Sequence, residues 1–329
     1  MARPTFTKAQ SGQAFLKIGM YGKAGTGKTL TSLLFAEGLA AKEGKRIACV
    51  DTELGTEFYA MDIPERRIHP VAFDFDRLVT RSLLDTIGVV EGVDPKEYGV
   101  VMVDSITHLW EAATNSYTGK RMSTGGIPVQ AWGAIKKPYK KLMSLLLDGN
   151  FHSIICGREG VVIEEDEDGD PKVTGSKMKA EGETPHEPHI LARMRPELVK
   201  DGAPTIKIFF EKDRSGILSG RSFEWPTYAT IEPVVRYLSG GQQGKLGSPE
   251  EIAEHDAAVQ ERQAAQAAEE RKALFTNIRD SLTRAGNADE LKAAWSLTQG
   301  KKGRLGDDFF EQLTTIKDAK KAEIIQGVA

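Results

Sequence analysis

Residues 22–29 read GKAGTGKT, and this octapeptide constrains the fold more than any other stretch of the chain. It fits the spacing G-x-x-x-x-G-K-[S/T], with Gly22, Lys23, Ala24, Gly25, Thr26, Gly27, Lys28 and Thr29 in order. The apolar run FLKIGMYG precedes it and the amphipathic run KTLTSLLFAEGLAAK follows, so the glycines turn the chain from a strand into a helix. Such a loop leaves backbone N–H groups unpaired at a helix N-terminus, where they and the helix dipole hold phosphate. That context places Lys28 for the β- and γ-phosphates of a nucleotide and Thr29 for a Mg2+ ion.

The alternation continues through the first 240 residues. RIACVDTE, RIHPVAF, YGVVMVDS and HSIICGR read as strands; DRLVTRSLLDTIGVVEG, ITHLWEAAT and AIKKPYKKLMSLLLDG read as helices. Strands alternating with helices predict an α/β fold, a mostly parallel sheet covered on both faces. Between residues 160 and 223 the pattern changes to a hairpin about Asp168-Gly169, followed by strands TIKIFFEK and GILSGRSFEW that extend the sheet. Then LSGGQQGKLGSPEE leads into an Ala/Glu/Arg/Gln-rich helix with few large apolar residues. Apolar anchors return at Phe275, Ile278, Leu282, Leu291, Trp295, Phe309, Phe310, Leu313 and Ile316. The predicted organisation is an N-terminal arm (1–14), a core (15–240), a helical linker (241–272) and a small helical domain (273–329).

Composition sets outer bounds. A formal net charge of −3 argues neither for nor against a nucleic-acid partner. Cys49 and Cys156 both lie in apolar runs, which suits buried thiols in a reducing compartment better than a disulfide. The N-terminus is polar and no apolar run is long enough to span a membrane, so a soluble cytoplasmic protein is expected. No N-K-x-D stretch is present, which disfavours a guanine-nucleotide site.

Two strand ends carry acids. VVMVDS places Asp104 at the carboxyl end of an apolar strand, where ligands bind in open α/β sheets and where a Mg2+ carboxylate belongs. Ser105 follows it, and not the glutamate that many P-loop ATPases use to activate water. CVDTELGTEF supplies the other candidate, Glu53, to orient a water toward the γ-phosphate; the alternative is an ordinary acidic strand end.

The P-loop, the D-T-E strand end and the V-D-S strand together resemble the RecA-fold ATPases: RecA, the archaeal RadA recombinases, KaiC and the DnaB-type helicases. The resemblance spans residues 15–240 and is greatest to phage-encoded RecA-like ATPases of the single-strand annealing and recombination type. It implies a RecA-like P-loop NTPase core, ATP and Mg2+ as cofactors, and Glu53 as the group that activates water beside Lys28. EKDRSG, residues 211–216, is similar to the K-x-R-x-G strand of the RadA, KaiC and DnaB branch. In that branch the two cations reach the γ-phosphate held by an adjacent subunit. Lys212 and Arg214 are therefore expected to act in trans, within a homo-oligomeric ring or filament; the alternative is two charges guarding an edge strand. One departure is ICGRE, which has Arg158 where the recombinases carry a glutamine that senses the γ-phosphate.

The resemblance also places single-stranded DNA against the loop after the Asp104 strand. Residues 112–147 hold six Lys or Arg and no acid. Lys120, Arg121, Lys136, Lys137 and Lys140 are candidates for phosphate contacts, and Trp132 and Tyr139 for base stacking. The alternative is a solvated helix face anchored by Trp132. A second loop position, 164–188, carries an acidic turn followed by Lys172, Lys177 and Lys179. HEPH at 186–189 has two histidines but no ligand cluster, and its proline disfavours the helix a zinc motif needs. LSGGQQ reads as a linker, and Phe6 with Ala9 matches the F-x-x-A subunit-linking pattern of RadA-like recombinases. The expected function is a Mg2+/ATP-dependent oligomeric ATPase that binds single-stranded DNA and promotes annealing or strand exchange in phage recombination. The alternatives are a DnaB-like hexameric helicase and an ATP-controlled assembly switch with little turnover. The C-terminal domain is a candidate contact for a single-strand-binding or replication protein.

Overall fold

The structure, a computed structural model, describes residues 6, 8, 14–118, 127–166, 169–197, 205–238 and 249–326. The chain divides into two compact units, Met1–Pro249 and Glu250–Ala329.

The first unit runs β1 (Lys17–Gly22), α1 (Lys28–Glu43), β2 (Arg46–Asp51), β3 (Asp76–Val79), α2 (Leu83–Glu91), β4 (Tyr98–Asp104) and α3 (Ile106–Thr118). It continues with α4 (Trp132–Asp148), β5 (His152–Glu165), β6 (Pro171–Met178), β7 (Ile190–Glu197), β8 (Thr205–Asp213), β9 (Ser222–Glu224) and α5 (Tyr228–Val235). The sheet has the order β3-β2-β4-β5-β1-β7-β8-β9, with β6 paired to β5 off this path. The strands from β3 to β7 are parallel, and β6, β8 and β9 pair antiparallel with their neighbours.

Burial on both faces explains the near-continuous apolar strands. Along β4, Val100 and Met102 face one core with Leu33, Phe35 and Leu39 of α1 and Ile231 of α5. Val101 and Val103 face the other, with Ile87 of α2, Leu109 of α3 and Leu142 of α4. Both cysteines are free and buried, as their runs predict. Lys17 is also fully buried. Its Nζ donates to the carbonyls of Leu146, Gly149 and Phe151 at 2.9, 2.8 and 2.6 Å, satisfying the chain where α4 ends. Burial pushes its pKa down to about 7 against the nearby charge of Asp148.

The mixed α/β class with a mostly parallel sheet is as the alternation predicts, but four local assignments differ. RIHPVAF is not a strand; the third strand is the DRLV that reads as a helix start, because α2 begins only at its cap Ser82, whose side chain accepts from Asp85 N–H. β7, which pairs with the phosphate-loop strand, has no counterpart among the expected strands. Its alternating Ile190, Ala192 and Met194 are buried, while Arg193 and Arg195 on either side of Met194 mask the pattern. GILSGRSFEW contributes only the three residues of β9. Arg214 lies past the end of β8, in a turn where Gly216 and Gly220 take φ near 75°.

The second unit holds α6 (Pro249–Arg284), α7 (Ala288–Gln299), α8 (Lys302–Leu305) and α9 (Asp307–Gln326). Ile278, Leu282, Leu291, Leu305 and Leu313 form its core. The structure runs α6 unbroken through residue 272, so the expected linker and the first helix of the small domain are one element. Strong helix formers fill that stretch, and nothing interrupts it before Gly286-Asn287, where Asn287 caps α7. Among the described residues, no helix is long and apolar enough to cross a membrane.

Candidate functional site

The carboxyl ends of β1, β4 and β2 and the middle of β5 lie side by side and bring together the phosphate loop and the acids. Gly27, at φ 80°, turns the loop into α1, and a Cβ there would meet Ile206 at 2.5 Å. A Cβ on Gly22 would meet the Met194 carbonyl oxygen at 2.5 Å, so β7 also demands glycine where the loop leaves the sheet. Thr26 closes the loop by donating to the Lys23 carbonyl at 2.8 Å. Lys28 Nζ donates to the carbonyls of Gly22 and Lys23 at 3.1 and 2.9 Å, so the ammonium folds back over its own loop. Among the expected loop residues, Lys23, Ala24 and Gly25 are exposed.

Thr29 Oγ1 donates to Asp104 Oδ2 at 2.6 Å, which joins the two expected Mg2+ ligands. Burial pushes the Asp104 carboxyl up to about 6, opposed by the Thr29 hydrogen bond and the Lys28 charge and reinforced by Glu53 and Asp51. A buried carboxylate beside a hydroxyl, deprived of solvent, fits a small hard cation that takes oxygen ligands and keeps waters and phosphate for the rest of its shell. Among the described residues there is no group of three or more His, Cys, Asp or Glu placed for a metal.

Glu53 is held from three sides. Ser105 Oγ and Arg158 Nε donate to its Oε1 at 3.1 and 3.0 Å, and His108 Nδ1 lies 3.8 Å away. Burial raises its pKa, but the Arg158 hydrogen bond and charge, with His108 and Ser105, bring it below the ordinary range. The loop that carries it is built on Asp51, whose carboxylate accepts from the N–H groups of Glu53, Leu54 and Thr56 and from the Thr56 hydroxyl. Thr52 Oγ1 meets His108 Nδ1 at 2.7 Å and accepts from Ser105 N–H at 2.8 Å. Sequence reasoning missed these braces; the signal available was an acid two residues before the candidate base.

A second network lies on the strand just before the loop. Tyr21 OH donates to Glu211 at 2.7 Å, and Arg193 pairs with Glu159 at 2.5 Å and reaches Ser176 at 2.6 Å. Together these tie β1 to β8, and β7 to the β5–β6 hairpin.

Lys212 and Arg214 converge, although only Lys212 is on a strand. Lys212 Nζ donates to the carbonyls of His186 and Pro188 at 2.5 and 2.7 Å, and Arg214 to that of Glu187 at 3.3 Å. HEPH is thus a carbonyl-rich ledge for the two cations. The register pairs Asp213 with Ile190 and Ile190 with Ile18, whereas the phosphate loop starts beyond Gly22, paired with Met194. Four residues of strand, about 13 Å at ~3.3 Å each, therefore separate the cations from their own chain's loop before the loop itself is counted.

The basic stretch divides. Lys120 and Arg121 lie outside the described residues, as do Ala9 of the arm and the LSGGQQ stretch beyond Leu238. Lys136 pairs with the buried carboxylate of Glu181 at 2.7 Å and Lys141 with Glu91 at 3.2 Å. Lys137 and Lys140 are exposed on α4. Trp132 stacks on Trp110 with centroids 6.1 Å apart. The stacking role expected of Tyr139 does not hold: it is 1% exposed, its hydroxyl meets Thr184 at 2.9 Å, and α4 turns it into the core.

A strand, phosphate loop and helix beside Thr29 bonded to the buried Asp104 define a P-loop NTPase. A family model described as AAA domain matches residues 14–196, and the chain belongs to this family of AAA-type P-loop NTPases. The match takes in the loop, Glu53, Asp104 and Arg158 and ends before Lys212. No curated protein matches the sequence.

Proposed function

We propose that the protein is an oligomeric ATPase with a RecA-like core that acts on single-stranded DNA, in annealing or strand exchange. The observation that carries the hydrolytic reading is Glu53, a carboxylate fixed beside the Thr29–Asp104 pair by a loop that Asp51 braces. In this reading Glu53 takes a proton from a water as its oxygen attacks the γ-phosphorus of ATP. The bond from that phosphorus to the β–γ bridging oxygen breaks, and ADP leaves with the electron pair. Lys28 exchanges its loop carbonyls for the β- and γ-phosphates. Thr29 and Asp104 would hold Mg2+, which when bound neutralises phosphate charge.

Oligomerisation is supported by the position of Lys212 and Arg214, too far down the sheet to serve their own nucleotide. In trans they would stabilise the charge that develops on a neighbour's γ-phosphate. The DNA reading rests on the resemblance to recombinases and on the exposed cations of α4. The C-terminal unit is proposed to contact a single-strand-binding or replication protein. A phage origin is part of the same proposal.

Steady-state ATP hydrolysis without nucleic acid, with single strands and with duplex tests this reading. Stimulation by single strands supports it, and equal rates in all three remove the DNA role. The Arg158–Glu53 ion pair favours a second reading, a nucleotide switch whose base is restrained and whose turnover is low. A slow basal rate that no nucleic acid accelerates, with ATP-dependent assembly by light scattering, would select it. A DnaB-like helicase shares these residues and is separated by ATP-driven unwinding of forked duplexes.

A further inference from the structure

In the C-terminal unit, α7 and α9 enclose a cleft of about 430 Å3. This lies within the range of ~300–1,000 Å3 usual for binding pockets. Leu291 and Trp295, four apart on α7, and Ile324 on α9 supply apolar walls; among the described residues, Lys292, Lys317 and Lys321 supply the only charges in its lining. Trp295 is half-buried, packed against Phe310 with centroids 5.4 Å apart, and Lys317 Nζ lies 4.9 Å over its ring. Ile325 at the edge is 62% exposed.

The charge distribution is unbalanced. Lys317 has Asp318 beside it at 2.6 Å, but Lys292 and Lys321 are exposed and, among the described residues, no carboxylate side chain lines the cleft. Of the two acids in the first turn of α7, Glu290 is occupied by the cap, accepting from Gly286 N–H and Asn287 Nδ2, and Asp289 is exposed. Lys317 and Lys321 are like charges four apart on one helix, an arrangement that destabilises a helix. An anion in the cleft would offset that repulsion.

We propose that this cleft docks a short peptide segment of a partner protein, in which acidic residues flank large apolar ones. The apolar side chains enter between Leu291, Trp295 and Ile324, and the carboxylates meet the lysine rim. A nucleobase suits the cleft less well. The side chains that line it offer ammonium donors, the indole N–H and hydrocarbon, and no acceptor for the amino and imino hydrogens of a base. The inference is independent of the nucleotide site, which lies in the other unit.

The test uses the full chain and a fluorescein-labelled nonapeptide, Glu-Asp-Glu-Leu-Asp-Glu-Phe-Glu-Leu, read by anisotropy in 50 mM salt. Binding is expected, weakened about tenfold in the Lys292→Glu/Lys321→Glu double variant, because reversed rim charges repel the ligand. The same peptide with Leu and Phe replaced by Ser should bind about tenfold more weakly than the parent. Both lysines are exposed, so circular dichroism and ATP turnover should be unchanged in the variant. No binding, or equal binding of the Ser peptide, overturns the proposal. So does an oligo(dT) 12-mer that displaces the peptide and loses affinity in the same variant, which would make the rim a nucleic-acid surface.

Discussion

The guanidinium of Arg158 donates to the carboxylate of Glu53 across 3.0 Å, joining the end of β2 to the middle of β5 over the buried Asp104. If Glu53 is the base proposed above and Arg158 meets the γ-phosphate, ATP would compete with Glu53 for Arg158, and winning that competition would release the base.

This competition has a pH signature. Arg158 keeps Glu53 ionised below the usual carboxylate range. Arg158→Ala should raise that pKa and move the acid limb of kcat/KM, which reports the free enzyme, to higher pH. Arg158→Lys should restore part of the shift. An acid limb identical in all three proteins would mean that Arg158 does not act through Glu53.

Glu53→Gln preserves shape and hydrogen bonding but removes the proton acceptor. ATP binding, followed with a fluorescent analogue, should stay within about twofold, and turnover should fall by roughly 10²–10⁴. Wild-type turnover in this variant would move the base elsewhere.

Asp104 gives an unusual stability prediction. Its folded pKa, about 6, is above the ordinary value of 3.8, so the native state holds this proton more tightly than the unfolded chain does. Between pH 4 and 6 this group alone makes stability fall as pH rises, the reverse of a salt-bridged carboxylate. At pH 7.5 the nucleotide-free protein carries the buried charge at a cost on the order of 3 kcal/mol. Asp104→Asn should raise its Tm by several degrees and abolish the further rise that Mg2+ with ATP gives the wild type. A lower Tm for the nucleotide-free variant would contradict the burial argument.

Mixing Arg214→Ala subunits with Lys28→Ala subunits checks the trans arrangement. Each variant alone should be inactive by about 10³-fold or more. Mixed assemblies contain sites that pair an intact loop with an intact finger, so part of the activity should return. Activity retained by Arg214→Ala alone would return the cations to a structural role on their carbonyl ledge.

Lys17→Met removes the donor that serves Leu146, Gly149 and Phe151. Leaving buried carbonyls unpaired costs about 1–3 kcal/mol each, tempered by water entry, so urea unfolding should show a loss of roughly 2–4 kcal/mol. A loss under about 0.5 kcal/mol would show that Lys17 is not a cap for that chain end.

How far the sequence reaches depends on the range over which a feature is encoded. The phosphate loop is written in eight consecutive residues, and Asp104 and Glu53 each follow directly from an apolar run. Their approach in space follows from the rule that strand ends share one edge of a parallel sheet. β7 escapes the same reading because Arg193 looks solvent-facing until its partner Glu159, 34 residues earlier, is in place. The Tyr21–Glu211 bond spans 190 positions and has no local trace at all. Tyr139 shows the opposite error: a basic neighbourhood suggested an outward ring, while the apolar spacing of α4 with Leu142 and Leu146 turned it inward.

β5 is a single strand of 14 residues, and Arg158 is near its midpoint. Its first half is clamped between the strands that end in the phosphate loop and in Asp104; its second half leaves the core as one arm of the β5–β6 hairpin. The seven residue steps from Arg158 to Glu165 span about 23 Å at ~3.3 Å per residue. With the core as fulcrum, a tilt of about 5° at Arg158 displaces the far end by about 2 Å over that span. The strand is a lever, and its short arm rests on the Arg158–Glu53 ion pair.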